Sequence, residues 1–111
     1  MTDYQVNRDE WSKRSILDQM GNISSEVGRA INAKRSGNNK EMHNAIIRAL
    51  DLFDATVSSL IKSKSVRTKE VLRSKDQFLS VVNQPKPTKA ELDSIDSYFT
   101  SFAIASRINR Q

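Results

Sequence analysis

The apolar residues of this chain recur at alternating steps of four and three, and this spacing constrains the fold more than any other feature of the sequence. In the first third of the chain the residues with this spacing are Ile16, Met20, Ile23, Val27, Ala30 and Ile31. Such spacing places the side chains on one face of an α-helix. A chain that carries one apolar face per segment has to bury these faces against one another, so the sequence predicts an all-α fold.

Turn-forming residues divide the chain into four helical segments. Gly37 follows the first segment, the polar stretch 62–65 separates the second from the third, and Pro85 ends the third, because the residue before a proline is pushed away from helical angles. Short connections favour antiparallel neighbours, so we predict an antiparallel up-down four-helix bundle. The predicted helices of this single domain, residues 1–111, span residues 8–34, 40–61, 66–82 and 89–108.

The starts of two helices carry capping patterns. Thr88 followed by Glu91 is a capping box that predicts the start of the fourth helix. The first helix has two possible starts: Asn7, with Glu10 three residues on, and Ser12.

The basic surplus of the chain lies in one segment. Between residues 62 and 75 there are six basic residues and the single acid Glu70, while the rest of the chain holds twelve bases and twelve acids. A basic row along a helix can neutralise successive phosphates, although such a row is also typical of a solvated helix face. The candidate residues for binding nucleic acid or another anion are Lys62, Lys64, Arg67, Lys69, Arg73 and Lys75.

Lys75 stands out within this segment. At about 100° per residue it falls in the middle of the apolar arc of the third helix, and Arg67 falls at the edge. A long cation in that position needs a partner, so we predict a buried ion pair between Lys75 and Asp96, with Asp54 as the second candidate. The alternative is a pocket between helices that binds an anion or a partner.

The C-terminal helix carries more apolar residues than one face can hold. Tyr98, Ile104 and Ile108 project from the flank or the far side of its apolar stripe. Excess apolar surface on a small basic bundle predicts an interface with a second copy or with another protein. The alternative is a helix buried on two sides.

Candidates for catalysis and metal binding are few. The sequence has no cysteine, and its single histidine, His43, lies beside an apolar face, where a structural role is the usual one. Gly21 and Gly28 are typical of a close approach between helices. We therefore predict no cofactor and no metal. The polar N-terminus and the lack of a long apolar run predict a cytoplasmic protein without a membrane partner.

Three stretches of the sequence together resemble a known group of proteins. They are WSKRSILDQMGNISSEVGRAINA (11–33), ALDLFDATV (49–57) and YFTSFAIASR (98–107). Their order and spacing resemble short prokaryotic helical proteins of uncharacterised function, similar in layout to the HEPN and nucleotidyltransferase-associated four-helix bundles. The resemblance implies a helical bundle that dimerises or binds a partner.

The ribonucleases of the HEPN class carry an arginine and a histidine only a few residues apart near a helix. In this sequence the nearest such pair, Arg35 and His43, has seven residues between its members and straddles Gly37. This departure argues against ribonuclease activity.

The leading interpretation is a non-catalytic helical-bundle interaction module that forms a homodimer or docks a partner protein. The alternative is a small basic bundle associated with nucleic acid through residues 62–75, and the third interpretation is a divergent nuclease of the HEPN type.

Overall fold

The structure is a computed structural model that describes residues 5–109. Within this range the chain is all-helical and contains no strand, which confirms the all-α part of the prediction. The five helices are α1 (Arg8–Ser12), α2 (Ile16–Ser36), α3 (Asn39–Lys62), α4 (Thr68–Val82) and α5 (Lys89–Asn109).

The first predicted helix is interrupted and forms two helices, α1 and α2. Asn7 caps α1, since its side chain accepts a hydrogen bond from the backbone amide of Glu10 at 3.1 Å. Ser15 caps α2 in the same way, accepting from the amide of Asp18 at 3.1 Å. Ser12, the other predicted start, is the last residue of α1. Each of the two N-caps satisfies helix amides that would otherwise be free, so the chain begins a helix twice.

Local sequence signals set the later helix ends. Gly37 ends α2 in the left-handed conformation, with φ of 73°, and Asn38 caps α3. At the start of α5 both bonds of the predicted capping box are present. The amide of Glu91 donates to the hydroxyl of Thr88, and the amide of Thr88 donates to the carboxylate of Glu91, each at 3.0 Å. These bonds satisfy backbone groups that a helix end leaves free.

Three phenylalanines from different helices form the centre of the core. Phe53 of α3, Phe78 of α4 and Phe99 of α5 are buried, and their ring centroids lie between 6.0 and 6.4 Å apart. Tilted and edge-to-face pairs at this distance are favourable beyond the burial of their area. Ile23 and Val27 of α2 are also fully buried in this core. The four long helices therefore share one apolar interior.

Helix α2 packs most extensively of all, against α5 on one side and α3 on the other. Gly21 allows the close approach to α5, because a Cβ atom at this position would lie 3.1 Å from the Cβ of Ser106. A Cβ at Gly28 would have no neighbour within 4 Å. The close approach predicted from the two glycines is thus made at Gly21 and not at Gly28.

The N-terminal residues are fastened to α3. The indole Nε1 of the buried Trp11 donates to Thr56 Oγ1 at 2.9 Å. The backbone amide of Val6 and the guanidinium of Arg8 both donate to the carboxylate of Asp51, at 2.7 and 2.8 Å. These long-range bonds hold α1 across the middle of α3.

Candidate functional site

The six basic residues at 62–75 lie at the end of α3, in the connection that follows, and along α4. Lys62 is the last residue of α3, Lys64 lies in the connection, and Arg67 directly precedes α4. Lys69 and Arg73 follow on α4, one helical turn apart. The side chains of these residues are exposed, and Lys75 is half-buried. These six residues follow one another closely in the chain, and we call residues 62–75 the basic segment.

No member of the basic segment forms an ion pair within the part of the chain that the structure describes. The basic residues that do pair with carboxylates there are Arg8, Arg14, Arg29, Arg35, Arg48 and Lys89. Most of the paired arginines lie on or near the contacts between helices. The charges of the basic segment are therefore left uncompensated by carboxylates of the described chain, and an external anion could meet them without displacing one.

The connection between α3 and α4 is an ordered turn. The amide of Ser65 donates to the carbonyl of Leu60 at 2.9 Å, and the amide of Lys64 donates to the carbonyl of Ile61 at 3.0 Å. These two bonds form a Schellman motif, whose turn residue adopts the left-handed conformation. Here that residue is Lys64, with φ of 55°. It is the only residue other than glycine with a positive φ among residues 5–109.

Lys75 lies beside the buried face of α4 rather than at its centre. The lysine is half-buried, whereas the neighbouring Ser74 is buried. The hydroxyl of Ser74 donates to the carbonyl of Val71 at 2.8 Å, so its burial leaves no polar atom unsatisfied. The buried residues of α4 are Val71, Ser74, Phe78 and Val82.

The predicted ion pair between Lys75 and Asp96 is not formed in the described part of the chain. Asp96 instead accepts a hydrogen bond from Arg35 at 3.3 Å. The second candidate, Asp54, pairs with Arg8 at 3.2 Å. Lys75 needs no buried partner, because a half-buried lysine keeps its ammonium group near water.

The candidate interface residues of α5 fall into two groups. Ile104 and Ile108 are one turn apart on the same face and are 47% and 64% exposed. Tyr98 lies roughly a third of a turn away from Ile104 around the helix. Its ring packs edge-on against Phe99 and Phe102, at centroid distances of 5.2 and 5.4 Å. Tyr98 therefore belongs to the edge of the core.

The surroundings of Tyr98 shift the pKa of its hydroxyl group. Burial raises the pKa of the Tyr98 hydroxyl above 10.0, and the neighbouring carboxylate of Glu70 on α4 raises it further. Both effects favour the neutral phenol.

The sequence interpretation missed a buried carboxylate, that of Glu26. This residue is 5% exposed, and its carboxylate accepts hydrogen bonds from Arg29 on the same helix and from Arg48 on α3. The hydrogen bond with Glu26 raises the pKa of Arg48 even though burial lowers it. A signal was present: Glu26 lies three residues after Ile23 and four before Ala30, within the apolar stripe of α2.

The residue types that commonly catalyse reactions or bind metals are dispersed or already engaged. His43 is exposed in the first turns of α3. The guanidinium of Arg35 bonds to Asp93 and Asp96 of α5. Residues 5–109 contain no group of three or more His, Asp or Glu side chains that could hold a metal ion.

No family model, curated protein or solved structure matches this chain. The resemblance to HEPN-type bundles therefore stays a prediction. Among the helices that the structure describes, none combines the length and the apolar character needed to cross a bilayer.

Proposed function

We propose that this chain is a non-catalytic helical interaction module that forms a homodimer through an exposed face of α5. The observation that carries the proposal is the exposure of Ile104 and Ile108, two aliphatic side chains on one face at the C-terminal end of the helix. Burying a side chain of this size contributes about 1.5–3 kcal/mol. Exposed apolar surface of this kind is typical of a protein contact site.

The same face continues towards the start of α5 with small, uncharged residues. Going backwards from Ile108 in steps of four and three, each position is exposed. The residues at these positions are Ile104, Ser101, Ser97, Ser94 and Ala90. A two-fold contact places identical surfaces against each other, so a face without charges suits a second copy of the chain better than a charged one would. Small side chains also let two helices approach closely.

The proposed architecture behind this face is an antiparallel up-down arrangement of α2, α3, α4 and α5. It is supported by the short connections between them, which comprise residues 37–38, 63–67 and 83–88. Connections of this length join neighbouring antiparallel helices in bundles. In such an arrangement one face of α5 is left for an external contact.

Size-exclusion chromatography with light scattering tests the homodimer. The expected mass is twice the 12.6 kDa of one chain, and Ile104→Lys together with Ile108→Lys should give the mass of one chain. The matched control is Ile47→Lys together with Ile61→Lys, which places the same two charges at exposed isoleucines of α3 and should stay dimeric. A wild-type mass of one chain at all concentrations up to about 1 mM would refute the homodimer, since weaker association has a Kd above that value.

A second candidate function, association with nucleic acid, is favoured by a separate observation. All six cations of the basic segment lack an ion pair within residues 5–109, whereas five arginines elsewhere in this range are paired with carboxylates. Unpaired surface cations bind phosphates by releasing condensed counterions, and this binding weakens steeply as salt rises.

A fluorescence-polarisation titration with a short duplex at two salt concentrations tests this candidate. We expect binding at low salt and a loss of affinity at higher salt. The charge-matched comparison removes Lys69 and Arg73 in one variant, and Lys40 and Lys86, two exposed lysines outside the basic segment, in another. Equal affinity of the two variants, or no wild-type binding at low salt, would count against the candidate.

A further inference from the structure

Helices α2 and α3 end in the same backbone turn but with different residues at its left-handed position. At the end of α2 the amide of Asn38 donates to the carbonyl of Ala33 at 2.9 Å, and Gly37 adopts φ of 73°. At the end of α3 the equivalent residue is Lys64, with φ of 55°. The chain thus contains an internal comparison: one turn is built with glycine, and the other with lysine.

Lysine is the costlier choice in this conformation. Glycine adopts positive φ freely because it has no Cβ, whereas the Cβ of any other L-residue approaches the backbone carbonyl. Folding stability alone would therefore favour glycine at position 64, as it does at Gly37. A residue held in a sparsely populated conformation points to a use for its side chain.

The surroundings of Lys64 indicate what that use is. Lys62 precedes it by two residues and Arg67 follows by three, and none of the three has an ion pair among the described residues. Lys69 and Arg73 follow on α4, about 6 Å apart along the helix axis. The turn therefore carries three cations within six residues, and two more follow on α4, which is a density of positive charge that suits a polyanion.

The composition of residues 62–77 indicates which class of polyanion this segment can bind. Residues 62–77 contain no aromatic side chain, so the stacking that binds single-stranded bases is absent from this segment. Aromatic residues that anchor a protein at a lipid interface are also absent from residues 62–77. Val66, which is 96% exposed, is the one fully exposed apolar side chain in the turn. Contacts with the phosphates of a duplex need neither feature.

We infer that Lys64 is a contact residue for backbone phosphates of a nucleic-acid duplex, presented at the α3–α4 turn with Lys62 and Arg67 beside it. This inference rests on the second candidate function. It adds two points to that function. The turn contacts phosphates as well as the cations along α4 do, and Lys64 lowers the folding stability relative to a glycine at this position.

The test is Lys64→Gly in the full chain, measured by thermal unfolding and by duplex titration over a range of salt concentrations. The thermal midpoint should rise because glycine relieves the backbone strain. The affinity for the duplex should fall about tenfold at ~0.1 M salt, and the slope of log K against log salt should become shallower by about 0.9, the value for one phosphate contact.

Two further variants separate charge from backbone. Lys64→Arg keeps the charge and should keep the wild-type affinity and slope. Lys86→Gly removes a charge from an exposed loop lysine outside the basic segment and should bind as the wild type does. Folding of every variant is checked by its cooperative melt.

The outcomes distinguish this inference from the function on which it rests. If the wild type binds the duplex and Lys64→Gly binds with the same affinity and slope, the inference is wrong while the candidate function stands. If the wild type fails to bind a duplex at low salt, both are wrong. If the wild type binds vesicles that contain anionic lipid but does not bind the duplex, the inference is wrong and the partner of the basic segment is a lipid surface.

Discussion

Glu26 of α2 and Arg48 of α3 form an ion pair across the contact between the two helices. The Nε of Arg48 donates to the Glu26 carboxylate, whose side chain is 7% exposed, whereas the arginine is 27% exposed. Arg29, one turn further along α2, bonds to the same carboxylate, and Glu41 of α3 bonds to Arg48 at 3.4 Å. A carboxylate that is removed from water needs such partners, so this contact restricts how α2 and α3 can pack.

The first prediction concerns the loss of the Arg48 guanidinium. Arg48→Met should destabilise the fold by about 2–3 kcal/mol at neutral pH, because the buried Glu26 carboxylate keeps only Arg29. The double variant Glu26→Met with Arg48→Met should recover most of this loss, since no charge is then left buried. Urea unfolding measures the three stabilities. A double variant that is less stable than Arg48→Met alone would contradict this account.

The second prediction compares two glycines of the same helix. Gly28→Ala should stabilise the fold by about 0.5–1 kcal/mol, because alanine favours the helix and the new methyl group meets no atom of another helix within 4 Å. Gly21→Ala gains the same helix preference but places its Cβ 3.1 Å from that of Ser106 on α5. We expect the crowding to outweigh the gain, with a net loss of about 1 kcal/mol.

Chemical denaturation of the two alanine variants side by side measures this difference directly. Equal stabilisation by both substitutions would show that α5 moves away from α2 at little cost.

The third prediction concerns the bond between Trp11 and Thr56. Thr56→Val removes the acceptor of the indole N–H while keeping the shape of a fully buried side chain. An indole N–H without a partner in the interior costs about 1–3 kcal/mol, so the variant should be less stable by this amount. Trp11 is the only tryptophan of the chain, so urea unfolding followed by its fluorescence measures the loss and reports the polarity of this site.

The matched control for this substitution is Thr100→Val, at an exposed threonine of α5. It should change the stability by less than about 0.5 kcal/mol, as is usual for surface positions. Similar losses for both threonines would mean that the indole bond contributes nothing specific.

The fourth prediction is a dependence of stability on pH from the capping box of α5. Hydrogen bonds from Gln84 and then from the amide and hydroxyl of Thr88 lower the pKa of Glu91 below 4.5. A carboxyl whose pKa is lower in the folded state stabilises the fold above its unfolded pKa, and this contribution is lost as the pH falls through the folded pKa. Asp93, whose pKa is lowered mainly by Lys89, adds to the same loss.

Thermal melts of the wild type and of Glu91→Gln test this prediction. The wild type should melt at the higher temperature at neutral pH, and the gap should narrow as the pH falls below 4.5. A gap that stays constant down to the lowest pH would show that the charge of Glu91 plays no part in the cap.

The structural features that depend on residues close together in the chain could be predicted from the sequence. The spacing of the apolar residues predicted helices, Gly37 predicted the end of α2, and Thr88 with Glu91 predicted the start of α5. The physical reason is that helix faces and caps depend on groups within about four positions of one another. The break between α1 and α2 was missed because Ser15 was not recognised as a cap.

The features that depend on which helices meet, and at what rotation, were decided by the tertiary structure. The observed rotation of α4 buries Ser74 in the core, whereas Lys75, the next residue, lies at the edge of the core. The packing of α2 against α5 brings Arg35 within hydrogen-bonding distance of Asp96. The packing of α2 against α3 pairs Glu26 with Arg48. An ion pair needs two side chains within a few ångströms, and residues 22 or 61 positions apart reach that distance only through packing.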